Sequence, residues 1–176
     1  MTYPSAPSSC LRILGIDPGL NATGWGLITF CNNTLSPLAQ GVITTSVRLP
    51  FSLRLCQIHE ELSFVLEKYR PHEAAIEKTF VNNNPLSALK LGMARGVALL
   101  VPAQHKIPVS EYAATRVKKT VVGVGHATKD QIALMVQRLL PRVGSVRKDA
   151  ADALAIAICH AHHQNIRSYT IKEASW

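Results

Sequence analysis

Three apolar runs follow one another in the first third of the chain, LRILGID, GWGLITF and GVITTSV, parted by short turn-forming segments such as PGLNATG. Runs of this length, bounded by Pro, Gly and Asn, read as strands, and their close spacing predicts hairpins. Three strands therefore open the fold. From Phe51 to Tyr69 the apolar residues Leu55, Ile58, Leu62, Val65 and Leu66 recur at helical spacing, and the pattern stops before Pro71. A strand over EAAIEKTF, a long helix over NPLSALKLGMARGVALLVPAQ and a short strand near IPVSEY come next. A loop, VKKTVVGVGHA, then leads to a helix opened by Thr128-Lys129-Asp130-Gln131, a capping-box pattern, and a last helix begins at KDAADALAIAICH. This order predicts an α/β domain, a mixed sheet flanked by helices.

At 176 residues the chain has the length of one domain, residues 1–176, and no segment reads as a linker. Its start, MTYPSAPSSC, lacks the cationic opening and apolar core of a signal peptide, so residues 1–10 read as a frayed extension with no function assigned. The longest apolar stretch, GVALLVPA, is short for a bilayer and contains a proline, so no membrane span is expected. Cys10, Cys31, Cys56 and Cys159 form no CxxC pair, which makes zinc and disulfide readings weak and a reducing cytoplasm the default compartment. The group Cys159, His160, His162 and His163 reads as a solvated, His-rich helix end rather than a ligand set, because contiguous helical residues point in different directions.

Charge points to the partner. Nineteen Lys and Arg against eleven Asp and Glu give a formal charge of +8, which favours a polyanion, most commonly nucleic acid. The few acids are placed suggestively. Asp149 and Asp152 open the last helix at i and i+3. One reading makes them an N-cap and an N3 residue, favoured by the helix dipole. The other has two carboxylates on one face sharing a divalent cation, which requires further acids from elsewhere. Asp17, after Ile13-Leu14-Gly15-Ile16, and Glu77, after Ala74-Ala75-Ile76, each end an apolar core strand. Singly, either is an ordinary turn residue. Four carboxylates converging would raise one another's pKa and demand a cation, and all-oxygen ligands suit Mg²⁺ or Mn²⁺. In a basic surface such a site suits phosphodiester cleavage with two metal ions about 4 Å apart.

The segments LGIDPGLNATGWGLI, AAIEKTFVNNNPLSALKLGMARGVA, VKKTVVGVG and KDAADALAIAICH, in that order, resemble the successive signature segments of the RuvC family of bacterial Holliday-junction resolvases. The resemblance runs from about residue 13 to about residue 163. It implies a ribonuclease-H-like fold, three antiparallel strands followed by parallel ones, and a homodimer that binds a four-way DNA junction. Paired, symmetric, Mg²⁺-dependent nicks are the implied reaction, and a branch-migration helicase complex of the RuvA and RuvB type the implied partner.

The family's catalytic and metal-binding carboxylates fall on Asp17, Glu77, Asp149 and Asp152. Its base-stacking aromatic falls on Phe80, and Lys118 and Lys129 match lysines that meet phosphates or developing charge. A C2 dimer is also the economical way to make two symmetric cuts, and the helix bearing Gly92 and Gly96 is the candidate interface. Lys78, Thr79, Asn82, Asn83 and Asn84 lie in the segment expected to face DNA, and His126 is a further candidate contact.

Competing readings are a nuclease acting on RNA or RNA–DNA hybrids and a non-catalytic junction-binding protein. GIDPGLNATGWGL also resembles the phosphate-binding hairpin of the actin, Hsp70 and sugar-kinase superfamily, but that resemblance implies two such domains around a nucleotide cleft, more than 176 residues supply.

Overall fold

A computed structural model describes residues 10–78 and 84–173, with side chains as far as residue 164. The elements run β1 (Leu11–Asp17), β2 (Ala22–Cys31), β3 (Thr34–Thr44), α1 (Phe51–Tyr69), β4 (Glu73–Lys78), α2 (Pro85–Gln104), β5 (Val109–Ala113), α3 (Ala114–Val122), α4 (Lys129–Leu139) and α5 (Lys148–Glu173). They build a five-stranded sheet in the order β3-β2-β1-β4-β5. The first three strands pair antiparallel, and β4 and β5 join parallel to β1. The expected mixed sheet is thus present, with β1 and β4 at its centre.

Local chemistry explains most boundaries. Asn32 and Asn33 both take positive φ (48° and 62°), the backbone a two-residue hairpin requires, so β3 starts at Thr34, well before the expected GVITTSV run. Pro37 is tolerated there because β3 is an edge strand. α1 ends at a left-handed Arg70, directly before Pro71. Thr128 and Gln131 close the expected capping box on α4. One expectation fails: the segment read as a loop from Val117 is partly helical, because α3 carries Val117 and Val121 inward one turn apart and ends at a left-handed Gly123.

The layers follow from burial. α1 and α2 cover one sheet face, where Leu14, Ile16, Leu27 and Ile76 meet Ile58 and Leu62. On the other face lies α5, itself roofed by α3 and α4. Every residue from Ala153 to Ala161 is at most 2% exposed, as a helix enclosed on all sides must be. This corrects the reading of a solvated helix end for Cys159 and His160, whereas His162 is exposed and His163 half-buried. Cys159 is fully buried, and His160 lies between the Tyr112 hydroxyl (2.8 Å) and the Glu73 carboxylate (2.5 Å). A second correction concerns the cysteines, for Cys10 is joined to Cys31 by a disulfide that ties the start of β1 to the end of β2. α2 differs from both core helices. It is long and apolar enough to cross a membrane by length and composition alone, yet only 22% of its apolar window is buried.

The seat of α5 is unusually close. A Cβ built on Gly15 would lie 2.0 Å from the Ala153 carbonyl oxygen, and one on Gly24 would lie 2.0 Å from that of Asp149. Gly26 would meet the Leu154 side chain at 2.6 Å. Helix backbone therefore rests on strand backbone. We expect Gly15→Ala to cost about 3 kcal/mol or more, since a backbone cannot step aside as a side chain can. Gly125→Ala, whose added methyl would come no closer than 3.8 Å to the Thr115 carbonyl oxygen, is expected to change stability by no more than about 0.5 kcal/mol. Urea unfolding of the two variants checks this; similar midpoints would contradict the packing.

Candidate active site

The parallel register of β1 and β4 pairs Ile16 with Ile76, so the next residues, Asp17 and Glu77, stand side by side at the carboxyl ends of the two central strands. Strand alternation turns Glu77 to the same face as Ala75, the face covered by α5. Gly15 and Gly24 then set the height at which α5 delivers its acids. α5 starts at Lys148, which puts Asp149 inside the first turn and Asp152 one turn further on. The N-cap and N3 assignment for this pair is therefore not met. The loop ahead of α5 is held by Gln40 of β3, whose amide donates to the carbonyls of Val143 and Ser145 (3.4 and 3.0 Å).

A cavity of about 290 Å³ opens at this point, with Asp17, Glu77, Asp152, Lys118 and Lys129 in its wall. Its floor is apolar, supplied by residues such as Val117, Ile132 and Ile156. Three of the four expected acids and both expected lysines thus meet. Asp149 is not among the residues described in the lining, although its charge reaches Lys129. Phe80, with Thr79, Asn82 and Asn83, lies outside the described residues. Asn84 caps α2, accepting from the backbone N–H groups of Leu86 and Ser87 (both 3.1 Å).

The electrostatics are those of crowded carboxylates. Burial, then the neighbouring charges of Glu77 and Asp152, pushes Asp17 up to about 8 from an ordinary 3.8. Glu77 is also raised, chiefly by burial, while the hydrogen bond it shares with Asp17 opposes the shift. At neutral pH the pair therefore holds a proton between its two carboxyls. Lys129 donates to Asp152 at 2.9 Å, and that hydrogen bond raises the lysine in turn. A shared proton and an ammonium so offset part of the acids' charge. In this arrangement no three His, Cys, Asp or Glu side chains among the described residues form a ready metal cage. The donor set still fits a hard divalent cation, being all oxygen, buried and short of positive charge.

Sequence reading overlooked the glycines. Their signal was the spacing Gly24-Trp25-Gly26 on one strand, which leaves two bare backbone positions on one face opposite Gly15.

A mixed sheet of this order, with acids ending both central strands, is the ribonuclease-H-like scaffold of a metal-dependent nuclease. The model of crossover junction endodeoxyribonuclease RuvC matches residues 13–160. The corresponding enzyme of Brucella anthropi is 56% identical over 154 residues, covering 88% of this chain and 90% of its own. That of Rhizobium johnstonii is 53% identical, covering 88% and 91%. Thermus thermophilus RuvC in complex with a Holliday junction substrate superimposes with a TM-score of 0.81 at 33% identity, covering 89% of this chain and 96% of that one. The yeast mitochondrial resolvase Ydc2 shares the fold at a TM-score of 0.63 and 14% identity, covering 94% and 89%. The chain belongs to the RuvC family of crossover junction endodeoxyribonucleases.

The raised acids make stability fall with pH. A folded-state pKa above the unfolded value means the folded chain holds protons that the unfolded chain releases, so stability is lost as pH climbs from about 4 through about 8. In EDTA, we expect the Tm of wild type to drop between about pH 6 and about pH 9 by a few degrees more than that of Asp17→Asn. Thermal melts at both pH values measure it, and parallel curves would contradict the assigned burial of charge.

Proposed function

We propose that this protein resolves four-way DNA junctions by paired nicks in strands of like polarity, with Asp17, Glu77, Asp149 and Asp152 as its metal-binding acids. The observation that carries the reading is the meeting of Asp17, Glu77 and Asp152 with Lys118 and Lys129 in one cavity. Two Mg²⁺ ions, or Mn²⁺ in their place, would supply an activated water and stabilise the leaving 3′ oxygen. The chain's own groups do the remainder. Asp17 and Glu77 would hold a cation in place of the proton they share in its absence. Asp152, which accepts from Lys129 at 2.9 Å, would hold the cation with them, and the Lys129 ammonium would then be available to the phosphate being cut. Lys118, in the wall of the same cavity, would be a second phosphate contact. Phe80 would stack on a base opened near the crossover.

The homodimer in this reading uses α2. Leu86, Leu89, Met93 and Leu100 are 43–61% exposed, and nothing lies within 4 Å of a Cβ at Gly92 or Gly96. A second copy related by a two-fold axis would cover this face and place two sites for two cuts. A branch-migration helicase complex would be the functional partner that presents the junction.

Cleavage of a synthetic mobile four-way junction, beside matched duplex and RNA–DNA hybrid, tests the reaction. Paired, ligatable nicks are expected on the junction alone, abolished by EDTA and reduced about a hundredfold or more in Asp152→Asn with junction binding retained. Preferential hybrid cleavage would reassign the substrate, and binding without cleavage would remove the nuclease role. For the dimer, sedimentation of the Gly92→Leu/Gly96→Leu double variant is expected to give monomer; an intact dimer would exclude α2 as the interface.

A further inference from the structure

A second cationic feature stands at the same end of the sheet, on the opposite side from the lysines. Arg54, in the first turn of α1, is only 8% exposed. Its Nε donates to the Thr45 hydroxyl at 2.9 Å, and its Nη2 to the Leu20 carbonyl and the Asn21 side-chain oxygen at 3.2 and 2.5 Å. All three partners are neutral. Leu20 and Asn21 belong to the turn that follows Asp17, and Thr45 also donates to the Leu20 carbonyl. The guanidinium is therefore braced against the hairpin beside the candidate active site, and no carboxylate pairs with it among the described residues.

A charge so far withdrawn from water is expected to have a counter-ion. Two observations say where one would sit. Nη1 makes no hydrogen bond and is not sealed off from solvent, since Arg95 Nε is the sole buried side-chain N or O without a partner among the described residues. The start of α1 adds to the field, with no side-chain cap and no acid in its first turn, so its own N–H groups are also unopposed. The missing anion is not the scissile phosphate, because Arg54 takes no part in the wall of the cavity where Asp17, Glu77 and Asp152 meet.

We propose that Arg54 Nη1, at the Leu20–Asn21 hairpin, seats a backbone phosphate of the substrate strand flanking the one that is cut. The inference rests on the DNA-junction reading above and adds a fixed contact to it. Because Nε and Nη2 are already committed, the free edge is held in place before DNA arrives and loses little entropy on contact.

Junction binding in EDTA, followed across a range of salt concentrations, tests it. Arg54→Gln is expected to weaken binding about tenfold and to flatten the slope of log K against log salt by about 1. A neutral methylphosphonate linkage moved along the strand beside the cut should weaken wild type at one position and have little further effect there on Arg54→Gln. If the glutamine variant does not fold, Arg54→Lys replaces it, and because it keeps the charge but not the fixed fork it is read by affinity and the methylphosphonate comparison rather than by slope. Unchanged affinity and slope, with each methylphosphonate costing variant and wild type alike, would make Arg54 only a brace for the hairpin and overturn the proposal. Failure of wild type to bind the junction would instead overturn the functional reading, so the two failures are distinct.

Discussion

α5 touches β1 and β2 backbone to backbone, and the geometry of the site depends on that contact. With side chains at positions 15 and 24, the helix would ride higher, and its aspartates would be carried away from the strand ends. Alanines along the helix make the same approach possible from the other side, and burial of the whole stretch from Ala153 to Ala161 fixes its rotation. The contact is thus both packing and alignment. It sets Asp152 over the pair formed by Asp17 and Glu77, whose own spacing is set by the parallel register of β1 and β4.

Such placement is electrostatically costly. Asp17 and Glu77 are forced out of water beside another acid, and both respond by holding protons more tightly. Lys129 offsets part of the cost at Asp152, and the capping box of Thr128 and Gln131 keeps the lysine at the first turn of α4. A protein selected only for stability would have little reason to keep this arrangement. It is the condition expected of a site that exchanges a proton and an ammonium for divalent cations and then faces a polyanion. The surrounding positive charge of the chain serves the same end.

Much of this was legible in the sequence, because strands ending in an acid leave a clear mark. ILGID and AAIE announce both the core strand and the residue at its exit, and the pairing of Asp149 with Asp152 one helical turn apart is equally plain. α1 was legible to its terminal residues, since a single apolar stripe and a following proline define it. α3 was not, because its helical signal is only Val117 and Val121 amid β-branched residues and nearby glycines. The burial of His160 was also hidden, as its partners Glu73 and Tyr112 come from two distant strands. The pairing of Cys10 with Cys31 had the same cause: hairpin register brings them together, and no motif records it. Gly15 and Gly24 were visible as residues, but the surface they meet exists only after folding.

Whether the acids gather around metal is answered most directly by a crystal structure of the protein soaked with Mn²⁺, using anomalous scattering to locate the ions. Anomalous peaks are expected between Asp17, Glu77 and the aspartates of α5, with Lys129 moved off Asp152. Peaks elsewhere, or no peak at a saturating Mn²⁺ concentration with the Lys129–Asp152 contact intact, would show that the four acids are not a metal site.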